Sequence, residues 1–214
     1  MLDIYKIYNS NNYGDFKVLN YINSRSIEIE FFNTGYKTKV EAVQIRRGEV
    51  KDKLSPTVYG VGFMGDGDYK SKVKGKDTKL YQTWVNMLER CYSDKLQVRC
   101  PTYIGCSVNQ IWHNFQNFAE WFELNYIKGY HLDKDIKING NKIYSPENCL
   151  FVSHEENNIK AQAKYYVFIN PDGIEVDVYN LQEFCRGKSL NSSAMCKVAK
   201  GKATHHKQWT CSYK

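Results

Sequence analysis

Two short signals between residues 131 and 158 constrain this chain more than any other feature. Asn139-Gly140 is a dipeptide whose members both tolerate positive φ, which a tight turn between strands requires. Further on, Ser153 stands three residues before Glu156. At that spacing each side chain reaches the other's backbone amide and opens a helix. Residues 131–138 and 149–152 are strand-like on either side of the turn, so the stretch is expected to run strand, turn, strand, helix. Asp133, Asn148 and Asn157 fall along it in that order.

The hydrophobic period changes on both sides of this stretch. Residues 16–19 and 27–31 alternate or run apolar around a turn at 23–25. A second turn at 33–36 leads into a strand-like run to Ile45, so a small β-barrel or curled sheet of about three to five strands is expected. Residues 60–76 keep neither period and read as a linker. Lys70, Lys72, Lys74 and Lys76 alternate there and share one face of an extended chain. Residues 79–92 have helical spacing in Tyr81, Trp84, Val85, Leu88 and Tyr92, and residues 101–106 read as a loop or short strand. Residues 109–126 place Ile111, Phe115, Phe118 and Phe122 on one helical face with Trp112 beside them. Spacing of this kind makes the aromatics a core beneath the strand–turn–strand–helix unit.

Beyond residue 164, strand-like runs at 165–169 and 174–178 flank Asn170-Pro171-Asp172-Gly173, a hairpin turn signal. Asn180 caps a short helix ending at Gly187, and Asn191 caps a second that stops at Gly201. Met195, Val198 and Ala199 face inward on the second, leaving Ser192, Ser193, Cys196 and Lys197 outside. The pair reads as a helix-turn-helix.

Net charge is +7. Residues 1–76 hold 13 Lys/Arg against 9 Asp/Glu, residues 77–159 hold 8 against 10, and residues 160–214 hold 9 against 4. Basic flanks suit phosphate, and a slightly acidic middle suits a cation. No stretch approaches the roughly 18 uninterrupted apolar residues of a membrane span. The start lacks the apolar run of a signal peptide. A cytoplasmic protein is expected, in the host cytoplasm if phage-encoded. The seven cysteines include no C-x-x-C pair. Cys91, Cys100, Cys106 and Cys149 lack the spacing of zinc knuckles, and reduced, mostly buried thiols are expected.

Three separated blocks, LDKD (132–135), YSPENC (144–149) and ENN (156–158), resemble the HNH, or ββα-metal, nuclease superfamily, in particular its phage and intron-encoded homing endonuclease branch. Asn148 precedes Asn157 by nine residues, as in that branch. YQTWVNMLERCY (81–92), PTYIGCSV (101–108) and WHNFQNFAEWF (112–122) are similar to it as well, so the resemblance covers residues 81–158. More loosely, residues 34–63 resemble a DNA-binding β module that accompanies phage nucleases. Residues 180–209 resemble a nuclease-associated helix-turn-helix repeat.

The resemblance implies one Mg²⁺ or Mn²⁺, held by Asp133 and Asn157, with Asp135 as a possible further ligand. Mg²⁺ takes oxygen ligands and keeps waters, so one carboxylate and one amide oxygen suffice from the protein. In the family the Asn148 position braces the hairpin and orients the general base. The family places a His directly after the first acidic ligand, where this chain has Lys134. Three candidates for the base stand open: Lys134 with a depressed pKa, His131 two residues along the strand from Asp133, and His154 one helical turn from Asn157.

The expected fold is α+β: a barrel-like sheet and linker over 1–76, a central HNH-like nuclease domain over 77–164, and a hairpin with a helix-turn-helix over 165–214. The expected function is metal-dependent hydrolysis of double-stranded DNA by a monomer, without a membrane partner or a small-molecule cofactor. Arg46, Arg47, Lys51, Lys72, Lys74, Lys160, Ser192, Ser193, Lys197, Lys200 and Lys202 are the candidate DNA contacts. The alternatives are a DNA-binding protein with a weak or inactive HNH-derived core, and a phage protein that binds a host protein.

Overall fold

The computed structural model of this protein describes residues 2–138, 140–162 and 165–212, and of residues 159–162 and 212 the backbone alone. In chain order its elements are β1 (Ile7–Ser10), β2 (Gly14–Asn23), β3 (Ser26–Phe31), β4 (Lys37–Val40), α1 (Ala42–Arg47), β5 (Lys72–Val73) and β6 (Lys76–Asp77). Then come α2 (Lys79–Tyr92), α3 (Asp94–Arg99), β7 (Ser107–Val108), α4 (Phe115–Asn125), β8 (His131–Asp133), β9 (Ile143–Tyr144), β10 (Leu150–Val152) and α5 (His154–Gln162). The last are β11 (Tyr166–Ile169), β12 (Glu175–Val178), α6 (Leu181–Gly187), α7 (Ser192–Ala199) and β13 (Thr210–Ser212). The chain forms two compact units, Met1–Lys128 with Leu132–Phe151, and Gly129–His131 with Val152–Lys214.

The first unit opens with an antiparallel meander in the order β1-β2-β3-β4. It is an open sheet of four strands, within the three to five expected, and not a closed barrel, because β1 and β4 are both edges. Alternation puts Phe16, Val18, Ile27, Ile29 and Phe31 into its core. On the other face Lys17 and Lys37 flank Glu30, at 2.9 and 3.6 Å, and Lys39 meets Glu28 at 3.3 Å. The strand expected to reach Ile45 stops at Val40, and residues 42–47 are helical instead. The side chain of Gln44 accepts the amide of Glu41, and Ala42 and Ile45 turn into the core. That local cap outweighs the β-branched composition.

Residues 60–76 are not a bare linker. The amide of Phe63 donates to the carbonyl of His113, and the amide of Phe115 to the carbonyl of Phe63. Buried Gln116 accepts the amide of Tyr69 and donates to the carbonyls of Met64 and Tyr69. A Cβ on Gly65 or Gly67 would overlap Asn114 or Gln116, so only glycine lets the backbone lie this close. Lys72 and Val73 then pair with Asp77 and Lys76 in a small hairpin. A turn at Lys74-Gly75 breaks the shared lysine face of an extended chain.

The aromatic helices pack as the spacing predicts. Trp84, Met87, Leu88, Trp112, Phe115 and Phe118 are fully buried, and the indole of Trp84 donates to the carbonyl of Trp112 at 2.7 Å. The second helix starts later than expected. Asn114 caps it by accepting the amide of Gln116, after a 3₁₀ turn over Gln110–His113 that leaves Ile111 exposed.

In the second unit, β11 lies between β12 and β13. The Asn170 side chain accepts the amides of Asp172 and Ile174, closing the hairpin. Phe168, Val178, Cys185, Met195 and Ala199 form its core with Phe184 and Trp209. Asn180 and Asn191 cap α6 and α7 by accepting the amides of Glu183 and Ala194. Among the described residues no helix is long and apolar enough to cross a membrane.

Candidate active site

The two strands of the HNH-like stretch are held by α4. β8 pairs with β10. Phe151 of β10 sits against Trp121, Phe122 and Tyr126, with ring centroids 5.5, 5.3 and 5.2 Å away. Three aromatic contacts of this kind fix the strand pair on a rigid helix.

Strand β8 is shorter than the run 131–138 expected. The carboxylate of Asp133 accepts the amides of Asp135 at 2.9 Å and Ile136 at 2.7 Å through Oδ1. A side chain that captures the next backbone amides folds a turn in place of a ladder. Asp133 is half-buried. Burial first, and the neighbouring carboxylate of Asp135 second, raise its pKa above the ordinary carboxylate value. Gly140 takes positive φ in the connection, as a turn glycine does, and Asn139 lies outside the described residues. Asn141, which the motif reading overlooked, bridges the connection by donating to the carbonyls of Lys134 and Ile143. Its one signal in sequence was its place just after Asn-Gly.

Lys134 turns into the first unit. Only 8% exposed, its ammonium lies 3.4 Å from Oδ2 of Asp135 and 5.8 Å from the centre of the Tyr144 ring. Tyr144 is buried, and burial raises its phenol pKa against the pull of Arg90. Arg90 in turn lies 5.5 Å from the Tyr103 ring. Cys91, Cys106 and Cys149 are buried, and burial pushes the thiols of Cys91 and Cys149 up to about 12. All three thiols are part of a packed core. Half-buried Asn148 donates its backbone amide to the hydroxyl of Ser145.

The other motif residues belong to the second unit. Ser153 and Glu156 form the capping box: Glu156 accepts the amide of Ser153 at 2.8 Å and Ser153 accepts the amide of Glu156 at 3.1 Å. Asn157 is half-buried in the first turn of α5, its amide bonded to the carbonyl of Ser153. The rings of His131 and His154 lie 6.3 Å apart, edge to face, and His154 Nδ1 is 2.8 Å from the Asn158 amide nitrogen. Thus Asp133, Lys134 and Asp135 come together in one unit, and His131 and His154 in the other.

Two neighbouring carboxylates, one half-buried with a raised pKa, fit a hard cation that keeps several waters. Among the described residues no group of three or more His, Cys, Asp or Glu stands ready to hold a metal.

The candidate DNA contacts are spread over both units. Arg46, Arg47 and Lys51 are exposed at and beyond the end of α1. Lys72 pairs with Asp77 at 3.6 Å, and Lys74 is the hairpin tip. Ser193, Lys197, Lys200 and Lys202 are exposed on and after α7, with Ser192 half-buried. The side chain of Lys160 lies outside the described residues.

No protein-family model matches the sequence, and no curated protein does. Among solved structures the chain is similar to one described as "DNA binding and cleavage by the HNH homing endonuclease I-HmuI", at 14% identity over 98% of each chain, with a TM-score of 0.25. A TM-score of that size does not establish a shared fold, and the likeness to HNH nucleases stays one of sequence motifs.

Proposed function

We propose that this chain is a metal-dependent endonuclease of the HNH type acting on double-stranded DNA. The observation that carries the reading is Asp133 at the end of a short strand, half-buried beside Asp135, in a strand pair that leads straight into a capping-box helix carrying Asn157. Asp133 and Asn157 are the proposed protein ligands of one Mg²⁺ or Mn²⁺, with Asp135 beside them. When bound, such an ion offsets the negative charge that builds on the phosphate and the leaving oxygen. Asp133 holds its carboxylate in place through two backbone amides. With Lys134 turned inward, removal of a proton from water falls to His131 or His154, whose imidazoles lie side by side.

The outer parts of the chain are proposed to hold DNA, with phosphate contacts from Arg46, Arg47, Lys51, Lys197, Lys200 and Lys202. The pair α6 and α7 is proposed to act as a helix-turn-helix, with α7 presenting Ser193 and Lys197 to base edges. The division into modules at 1–76, 77–164 and 165–214 is part of the same proposal.

The test is nicking of a supercoiled plasmid with Mg²⁺ or Mn²⁺ by the wild-type chain beside Asp133→Ala and Asn157→Ala. Metal-dependent nicking lost in both variants is the expected result. Three equally inert proteins that still bind DNA would leave the second reading, a DNA-binding protein with an inactive core. The Lys134–Asp135 ion pair at the position of the family's base favours that reading. Binding that ignores salt would instead point to a protein partner.

A further inference from the structure

We propose that the hairpin β5–β6 is a finger that enters the major groove of duplex DNA, with Lys74 at its tip and Lys70 and Lys76 against flanking phosphates. This rests on the DNA-binding reading above and adds a contact surface to it. A two-stranded ribbon is one of the shapes that the major groove admits.

The first support is that the hairpin is exposed yet anchored at both ends. Lys70 and every residue from 72 to 77 are exposed, with Val73 at 55%. On one side, buried Gln116 grips both backbone groups of Tyr69, at 3.0 and 3.2 Å. On the other, the amide of Thr78 donates to the carbonyl of Ser71 at 2.8 Å and its hydroxyl to the carbonyl of Lys70 at 3.2 Å. The same hydroxyl accepts the amide of Tyr81 and so caps α2. The ribbon is thus tied to two helices of the aromatic core while its tip stands in solvent. An ornamental loop needs no such mooring.

The second support is the residue at the tip. Lys74 and Gly75 have φ of 50° and 77°, the pair of positive values that a tight hairpin turn requires. Asn or Gly takes the first position at little cost, whereas Lys is strained there. Strain kept at an exposed position points to a use for the side chain. The charge agrees: residues 69–79 hold five Lys against Asp77 alone, and Asp77 is engaged with Lys72 at 3.6 Å. Lys70, Lys74, Lys76 and Lys79 are the cations that this pair does not occupy, and the first three belong to the hairpin and its base.

The test uses the full chain and a mixed-sequence DNA duplex, with binding measured across a salt series and thermal stability measured on the same samples. Lys74→Asn is expected to keep or raise Tm, because it relieves the turn. It should weaken duplex binding about tenfold, the share of one groove contact. Lys70→Ala, Lys74→Asn and Lys76→Ala together should make the slope of log affinity against log salt shallower by about 1.8, the share of two phosphate contacts. A triple variant with the wild-type slope overturns the finger while leaving the DNA-binding reading intact. So does a loss of affinity that only tracks a fall in Tm, or one confined to single-stranded DNA. A wild-type chain that does not bind duplex overturns both.

Discussion

The ammonium of Lys134 is held between the carboxylate of Asp135, 3.4 Å away, and the face of Tyr144. Those two contacts give the side chain a structural place. Lys134→Met is therefore expected to keep its metal-dependent nicking within about tenfold of wild type, short of the 10²–10⁴ of a lost general base. Stability should fall by about 1–3 kcal/mol, read as a lower Tm, because the ion pair with Asp135 and the contact with Tyr144 are lost. A loss of activity as large as that of Asp133→Ala would make Lys134 catalytic after all.

If the base lies elsewhere, the neighbouring imidazoles carry it. One of the single variants His131→Ala and His154→Ala should lose about 100-fold in nicking rate while duplex affinity holds. Equal activity in both, and in the double variant, would remove them from the chemistry.

The raised pKa of Asp133 links stability to pH in a definite direction. A carboxyl whose folded pKa lies above its ordinary 3.8 contributes stability below that value and loses it as pH rises through the folded pKa. Asp133→Asn keeps the side-chain oxygen that accepts two amides and removes the charge. Without metal at neutral pH it should melt higher than wild type, at about 2–4 °C per kcal/mol for a chain of this size. Adding Mn²⁺ should raise the Tm of wild type and leave that of the variant unmoved.

Gln116 ties residues 64–69 to the core through three hydrogen bonds. Gln116→Ala strands two carbonyls and an amide, and is expected to cost about 2–3 kcal/mol. Limited proteolysis should then cut first between residues 64 and 77, and earlier than in the wild type. An unchanged cleavage pattern would show that the other contacts of this segment hold it alone.

Thiol reactivity gives an independent reading of the core. Cys91 and Cys149, buried with pKa values pushed to about 12, should react with Ellman's reagent only on unfolding. The partly exposed Cys100, Cys196 and Cys211 should react in the native protein.

The sequence was most readable where a side chain acts on its own neighbourhood. Ser153 with Glu156, Asn180, Asn191 and the Asn170 turn all bond within a few residues, and each stands where its spacing puts it. It was least readable where a distant partner decides. Nothing within residues 60–76 announces Gln116, which lies some forty residues on and makes a packed segment of an apparent linker. Lys134 is similar: strand alternation aims it away from Asp133, but only Tyr144 and Asp135 explain why a lysine can be buried there. Asp133 itself misled the strand boundary, because its carboxylate takes the two amides that would have continued the ladder. The proposal that Asp133 and Asn157 share one ion rests on family spacing alone, and plasmid nicking is what decides it.

The open meander has one more consequence. β1 is an outer strand of its sheet, with Ile7 59% exposed and Tyr5 91% exposed just before it. An outer strand with exposed apolar side chains of that sort is a template on which a further extended segment can add. At high concentration it is where self-association of this protein should begin, growing toward fibres, and a proline or lysine in place of Ile7 should blunt it.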